Sequence, residues 1–265
     1  MIYNMFMSSE RLVIGPNNQL LNGMLHNPEE RGWHFVSGDP ELWKYADRFV
    51  KPDGKALDLG IGFGRNGLPL ALWGMNVVGY DLDTEAAEDL ETIVGELSES
   101  LPVSLEVRIE DMFKAELGKS EYDLAVLAEL VHVPSKAEAL DLFDKAYDAL
   151  KPGGHMWIRM ASKESEGYKE LILASEEAWG PTMLDGGNVI EDYCICTGEE
   201  KLEPVLFMDQ GDLVNYFAGK QAKIIHSQSI PQVGRWNMMF GEDFNPSNPA
   251  KGTMVSALAQ KPMEF

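Results

Sequence analysis

The sequence has few cysteines, a shortage of positive charge and no long apolar run. Its 265 residues include two cysteines, Cys194 and Cys196, which are too close together to cross-link a large fold. We therefore expect a reduced protein in the cytoplasm, without a structural disulfide. Since no further metal ligands lie beside the two thiols in the sequence, we also expect no metal site.

Basic residues are scarce, with 22 lysines and arginines against 43 aspartates and glutamates and a formal net charge of −21. A field of that sign repels phosphate backbones and anionic membrane surfaces, so nucleic acid and membranes are disfavoured as partners. The N-terminus has no basic region followed by an apolar run, and no stretch approaches the ~18 apolar residues of a membrane span. The composition favours no particular oligomeric state.

From about residue 55, short apolar runs alternate with helical patterns. The runs predict strands at 55–59, 76–81, 104–108, 124–127, 155–160, 222–230 and 252–260. The periodic segments predict helices at 66–73, 85–97, 136–150 and 209–220. This alternation is typical of βαβ units, and it predicts an α/β fold whose mainly parallel sheet is covered by helices on both faces.

Two segments stand outside the alternation. Residues 1–50 precede it and are expected to form an N-terminal cap, with Asp39 as the N-cap of a helix that runs through Phe49. Residues 163–204 interrupt it and are expected to be an insertion on the substrate side. Residues 51–162 and 205–265 would then form the main cofactor-binding domain.

The most informative segment is a glycine loop at residues 58–64, with the sequence D-L-G-I-G-F-G. An apolar strand runs into three alternate glycines, and a helix follows at once. Glycine suits such a place because the backbone turns sharply and a ligand can approach without a Cβ in the way. Asp81 ends the next strand, where an acid accepts hydrogen bonds from ribose hydroxyls in Rossmann-like sheets.

Two classes of cofactor compete for this loop. Residues 62–67 satisfy the pattern G-x-G-x-x-G, which is found in dinucleotide-binding proteins but is weak evidence alone. Asp58 argues against a dinucleotide, because a carboxylate beside the turn repels a pyrophosphate. The same carboxylate suits a ligand that carries an ammonium group and a sulfonium.

The chain resembles the class I S-adenosylmethionine-dependent methyltransferases. Residues 58–64 are similar to the first motif of that family, and further similarities occur in order along the chain at Asp81, 110–112, 122–132 and 150–154. The sequence after the loop resembles the small-molecule branch that includes tellurite-resistance and thiopurine methyltransferases. The resemblance implies a Rossmann-like three-layer sandwich with an antiparallel last strand, and S-adenosylmethionine as the cofactor.

The resemblance also implies roles for individual residues. Gly60, Gly62 and Gly64 would shape the loop under the methionine portion, and Asp58 would lie near its ammonium group. Other positions would hold the nucleoside, with Asp81 on the ribose, Leu82 and Met112 against the adenine, and Asp111 accepting from the adenine amino group. Glu129 would border the pocket of the methyl donor.

His132 is the best candidate for a base, since it follows the fourth strand at a place from which it could reach the acceptor. With Glu129 it completes the predicted catalytic pair, while a packing role for His132 stays open. Trp43 and Tyr45 could close over the cofactor or could pack on the core.

The sequence favours methyl transfer to a small-molecule acceptor by direct in-line displacement. Two alternatives stay open: a protein or tRNA methyltransferase, with the charge counting against tRNA, and a scaffold that binds the cofactor without catalysis. A nicotinamide-dependent oxidoreductase is the most distant alternative.

Overall fold

The computed structural model describes residues 39–97, 101, 103–128, 130, 136–164, 188–191, 203–231 and 253–263. Nine strands in these ranges form a sheet, with helices on both faces. The strands are β1 Lys55–Leu59, β2 Asn76–Asp81, β3 Leu105–Ile109, β4 Tyr122–Ala128, β5 Leu150–Ser162, β6 Asn188–Glu191, β7 Glu203–Met208, β8 Lys223–Pro231 and β9 Thr253–Gln260. The helices are α1 Pro40–Trp43, α2 Ala46–Phe49, α3 Gly67–Leu72, α4 Thr84–Glu96, α5 Lys136–Ala149 and α6 Gln210–Gly219.

Seven of these strands lie in the order β3-β2-β1-β4-β5-β9-β8. The first five are mutually parallel, and β9 is antiparallel to both of its neighbours. The predicted α/β sandwich with an antiparallel last strand is therefore confirmed. Because the parallel strands share a direction, their carboxyl ends meet along one side of the sheet, called the carboxyl edge below.

A hairpin of β6 and β7 extends the sheet at that edge. Ala161 of β5 pairs with Met254 of β9 on one side and with Phe207 of β7 on the other. The β4 side of β5 is free there because β4 ends at Ala128, which pairs with Arg159. The hairpin thus continues the position of β4 beyond its end.

Each face of the sheet buries its own apolar cluster. Leu57, Leu127 and Ile158 point toward α5 and α6, where Phe143 and Phe217 complete the cluster. On the opposite face, the alternate residues of the same strands meet the N-terminal helices and α3. This alternation is the period-2 pattern of strands that are covered on both sides.

The N-terminal helix differs from the sequence prediction. Asp39 is its N-cap, accepting a hydrogen bond from the backbone N–H of Glu41, but the single helix through Phe49 is wrong. Two short helices form instead, since Tyr45 leaves helical geometry and its hydroxyl lies 3.1 Å from Nδ1 of His226. Trp43 packs edge-on against Trp73 with ring centroids 4.5 Å apart. Of the two roles considered for Trp43, this contact corresponds to packing on the core.

The division into an N-terminal cap, a main domain and an insertion stays a prediction. Its boundary at residue 205 falls inside β7. Cys194 and Cys196 lie outside the described residues. None of the described helices has the length and apolarity needed to cross a bilayer.

Two leucines of different burial test this packing. Leu127 in the central strand is fully buried, whereas Leu82 is 64% exposed. We expect Leu127→Ala to lower the free energy of unfolding by about 2–5 kcal/mol, because it leaves a cavity that the flanking strands cannot fill. Leu82→Ala should change it by less than about 0.5 kcal/mol. Urea denaturation measures both, and equal losses would contradict the assigned burial.

Candidate functional site

The glycine loop leaves β1 at the carboxyl edge and takes a backbone path that favours glycine. Gly60, Gly62 and Gly64 have φ values of 75°, 47° and 78°. These angles lie in the left-handed region, which most L-residues avoid. The loop is joined to β2 because the backbone N–H groups of Gly60 and Ile61 both donate to the carbonyl of Tyr80.

The three glycines serve different neighbours. A Cβ on Gly60 would lie 2.6 Å from the side chain of Leu130, and a Cβ on Gly64 would lie 2.5 Å from that of Leu90. A Cβ on Gly62 would meet only the carboxylate of Asp81, at 3.9 Å. Positive φ angles and close leucine side chains therefore favour glycine at positions 60 and 64, and of the three only Gly62 presents an open face to a ligand.

Asp81 at the end of β2 is held by two backbone donors. Its Oδ2 accepts from the N–H of Gly62 at 2.7 Å, and its Oδ1 accepts from the N–H of Asp83 at 2.9 Å. A carboxylate oxygen can accept more than one hydrogen bond, so both oxygens keep capacity for further donors. The arrangement can accept from two neighbouring hydroxyl groups.

Asp58 lies beneath the loop and is almost completely buried. Burial raises the pKa of its carboxyl to about 7; the backbone N–H of Gly67 and the charge of Arg65 oppose that rise, and the carboxylate of Asp81 adds to it. Oδ2 of Asp58 accepts no hydrogen bond of standard geometry from the described residues. A cationic group close to Asp58 would favour its ionised form.

The residues predicted to hold the adenine lie beyond β2 and β3. The backbone N–H of Glu110 donates to the carbonyl of Asp81, which brings this segment beside Asp81. Asp111 accepts from the N–H of Phe113 and pairs with Lys114; the hydrogen bond from Lys114 is the main reason that the pKa of Asp111 lies below its ordinary value. Two apolar side chains are exposed on these strand ends, Leu82 and Ile109. Met112 is partly buried against the core.

These residues fit S-adenosylmethionine in three respects. Asp58 offers a buried carboxylate with an unsatisfied oxygen, Asp81 offers paired acceptors, and Leu82 with Ile109 offers an exposed apolar surface. The open face at Gly62 lies next to Asp81. Among the described residues, no three His, Cys, Asp or Glu side chains are grouped as metal ligands would be.

The two residues predicted to be catalytic, Glu129 and His132, lie outside the described residues. Leu130 is described and packs on Gly60, so the segment after β4 reaches the glycine loop. The roles of Glu129 and His132 stay predictions.

Sequence reasoning missed the support of the loop. Ile61 lies over Gly79 of β2, where a Cβ would come within 2.2 Å of its Cδ1 atom. The signal was a lone glycine inside a strand, which often marks a close approach of backbone and side chain. The buried contacts of Asn66 with Asp39, a residue distant in sequence, had no such signal.

A family model described as a methyltransferase domain matches residues 56–154. Residues 56–154 are thus a methyltransferase domain. The resemblance drawn from the sequence, to class I S-adenosylmethionine-dependent methyltransferases, is thereby confirmed for this domain, and so is S-adenosylmethionine as its cofactor.

Two relatives and one solved structure extend the comparison of this chain with known proteins. It is 29% identical over 141 residues to a ubiquinone biosynthesis O-methyltransferase of Marinobacter nauticus, covering 52% of this chain and 57% of the relative. It is 30% identical over 145 residues to phosphoethanolamine N-methyltransferase 2 of Caenorhabditis elegans, covering 52% of this chain and 31% of the relative. The match therefore spans less than two thirds of either relative. A SAM-dependent methyltransferase of Methanosarcina mazei shares the fold, with a TM-score of 0.66 and 22% identity, covering 86% of this chain and 100% of that one.

Asp58 makes the stability of the protein depend on pH in a specific direction. Its raised pKa means that the folded state holds a proton that the unfolded state loses above about pH 4. The parent should thus lose stability relative to Asp58→Asn as pH rises from about 4 to about 7, by up to about 4 kcal/mol. Urea denaturation across this range measures the difference.

Asp123 in the adjacent strand β4 is the control with the opposite sign. Although burial alone would raise its pKa, hydrogen bonds from Lys151, the backbone N–H of Lys55 and Lys51 hold the pKa of Asp123 below its ordinary value. Asp123→Asn should therefore lose stability relative to the parent as pH rises through about 4. Parallel curves for the two variants would contradict the assignment of Asp58.

Proposed function

We propose that this protein transfers the methyl group of S-adenosylmethionine to a small-molecule acceptor. The observation that carries the proposal is the convergence, at one edge of the sheet, of the buried Asp58, the open face of Gly62 and the fixed carboxylate of Asp81. A diphosphate would meet two carboxylates there, whereas an amino acid with a ribose meets matching groups.

In this proposal each residue has one task. Asp58 attracts the ammonium group, Asp81 accepts from the ribose hydroxyls, and Leu82 with Met112 covers the adenine while Asp111 accepts from its amino group. When bound, the cofactor would supply a methyl group on a sulfonium; in-line attack by the acceptor on the methyl carbon would break the S–C bond and release S-adenosylhomocysteine. The protein contributes mainly by holding the reacting atoms in position and excluding water, since no covalent enzyme intermediate is needed.

We place the binding site of the acceptor, as part of this proposal, at the carboxyl edge near β5. An open cleft of about 560 Å³ lies there, lined by Lys163, Glu164, Asp209, Gln210, Gly211 and Val214. Asp212 fixes this region, because its carboxylate binds Lys136 at the start of α5 and Lys163 after β5, at 2.8 Å and 3.0 Å. The lining combines polar and apolar surface and carries both signs of charge, which suits a small molecule with polar groups. The cytoplasmic location and the absence of nucleic acid, membrane and metal partners stay predictions.

The atom that receives the methyl group is left open by the relatives, since one is named an O-methyltransferase and the other an N-methyltransferase. The direct test is production of S-adenosylhomocysteine from S-adenosylmethionine with a panel of phenolic and amine acceptors. Turnover with any of them supports the proposal. Tight binding of S-adenosylhomocysteine without turnover across the panel would favour the scaffold alternative, and failure to bind it would refute the proposal.

Asp81→Ala tests the ribose contact. Losing hydrogen bonds to a charged acceptor should weaken S-adenosylhomocysteine binding by about tenfold to a hundredfold in isothermal calorimetry. Asp83→Ala is the matched control: it removes the side-chain cap of α4, at a stability loss of about 1 kcal/mol, yet leaves the backbone donor to Asp81 in place. Equal affinity of Asp81→Ala and the parent would refute the ribose role.

His132→Ala tests the proposed base. If His132 removes a proton from the acceptor, kcat should fall by about a hundredfold or more while the affinity for S-adenosylhomocysteine is unchanged. His155→Ala serves as control, because His155 is buried inside β5, where burial lowers its pKa to about 4. That variant should lose stability without a comparable loss of kcat. Full activity in His132→Ala would contradict the role of His132 as a base and would favour a packing role for it.

A further inference from the structure

Asp39 is a fully buried carboxylate that ties three parts of the chain together. Its Oδ1 forms an ion pair with Nη1 of Arg159, and both side chains are buried. Its Oδ2 accepts from Nε1 of Trp157 at 3.0 Å, and its backbone N–H donates to Oδ1 of Asn66, also at 3.0 Å. The described part of the N-terminal segment, residues 39–50, is thus joined to β5 and to Asn66, just after the glycine loop.

Asn66 is the residue through which Asp39 reaches the loop. It follows Gly64 closely and is the N-cap of α3, yet its side chain makes no capping hydrogen bond. Asparagine at an N-cap ordinarily accepts from the N–H groups of its own helix. Here its buried oxygen accepts from Asp39 instead, so the contact fixes the place where the loop enters α3.

The register of the sheet puts this cluster level with the loop. Leu59 of β1 pairs with Leu127 of β4, which pairs with Ile158 of β5. Arg159 is therefore level with Gly60, two strands away, or about 10 Å at the usual strand spacing. The cluster supports the loop from the α3 face of the sheet.

A second attachment keeps the N-terminal segment in place. Trp157 stacks on His226, with ring centroids 5.8 Å apart and planes at 16°. The hydroxyl of Tyr45 lies at hydrogen-bond distance from the same histidine. The segment is therefore anchored on both sides of α1, and Asp39 has little freedom to leave Asn66.

We infer that Asp39 and Asn66 are positioning residues for cofactor binding, acting through the glycine loop without touching the cofactor. When the loop samples other conformations, only the fraction in the competent one binds, and the apparent dissociation constant rises by the inverse of that fraction. The inference rests on the proposed function, because its readout is the affinity for S-adenosylhomocysteine.

Asn66→Ala removes the acceptor for Asp39 and is the first test. We expect the dissociation constant of S-adenosylhomocysteine to rise about tenfold in calorimetry, beyond what any change in Tm explains. Asn76→Ala is the matched control, because Asn76 makes a similar link, to Ser104, at the opposite edge of the sheet. It should lower Tm without changing the affinity.

A second variant covers the case in which Asn66→Ala does not fold. Asp39→Asn combined with Arg159→Met removes both charges of the Asp39–Arg159 pair, while asparagine keeps the N-cap. We expect weaker binding here as well. A lower Tm with parental affinity in the folded variants would overturn the inference and leave the proposed function intact. If the parent protein binds no S-adenosylhomocysteine, both the inference and the proposed function are refuted.

Discussion

Leu130 and Leu90 occupy the space that side chains at positions 60 and 64 would need. This steric constraint, together with the positive φ angles of Gly60 and Gly64, favours glycine along the loop, because another residue would be strained and would displace the leucine side chains. The loop in turn brings the N–H of Gly62 to Asp81 and covers Asp58. The site at the carboxyl edge thus depends first on packing inside the protein and only then on the ligand.

The electrostatics of the site differ from those of the surface. The chain carries a net charge of −21, and most of its acids can be solvated at no great cost. At Asp58, burial outweighs the charge of Arg65 and raises the pKa to about 7, whereas Asp123 in the next strand accepts hydrogen bonds from two lysines and its pKa falls. Two carboxylates in adjacent parallel strands therefore have opposite behaviour, which is typical of a site that leaves one charge for a ligand to complete.

Much of the fold was predictable from local pattern. Strands β1 and β2 were predicted with their observed bounds, and α3, α4, α5 and α6 within a residue or so of theirs. The family, the cofactor and the antiparallel last strand followed from ordered motifs. The length of β5 was underestimated, since Leu150–Ser162 includes a Pro-Gly-Gly stretch that reads as a turn but is an irregular start of the strand.

The sequence by itself determined the alternation of strands and helices, the glycine loop and the acids around it, because these depend on residue types that lie close together along the chain. Only the tertiary structure decided which glycine faces open space, that Asp58 is buried with an unsatisfied oxygen, and that Asp39 meets Arg159 and Asn66. Those contacts join residues far apart in sequence, and their energies depend on burial and neighbouring charges, which no local pattern encodes.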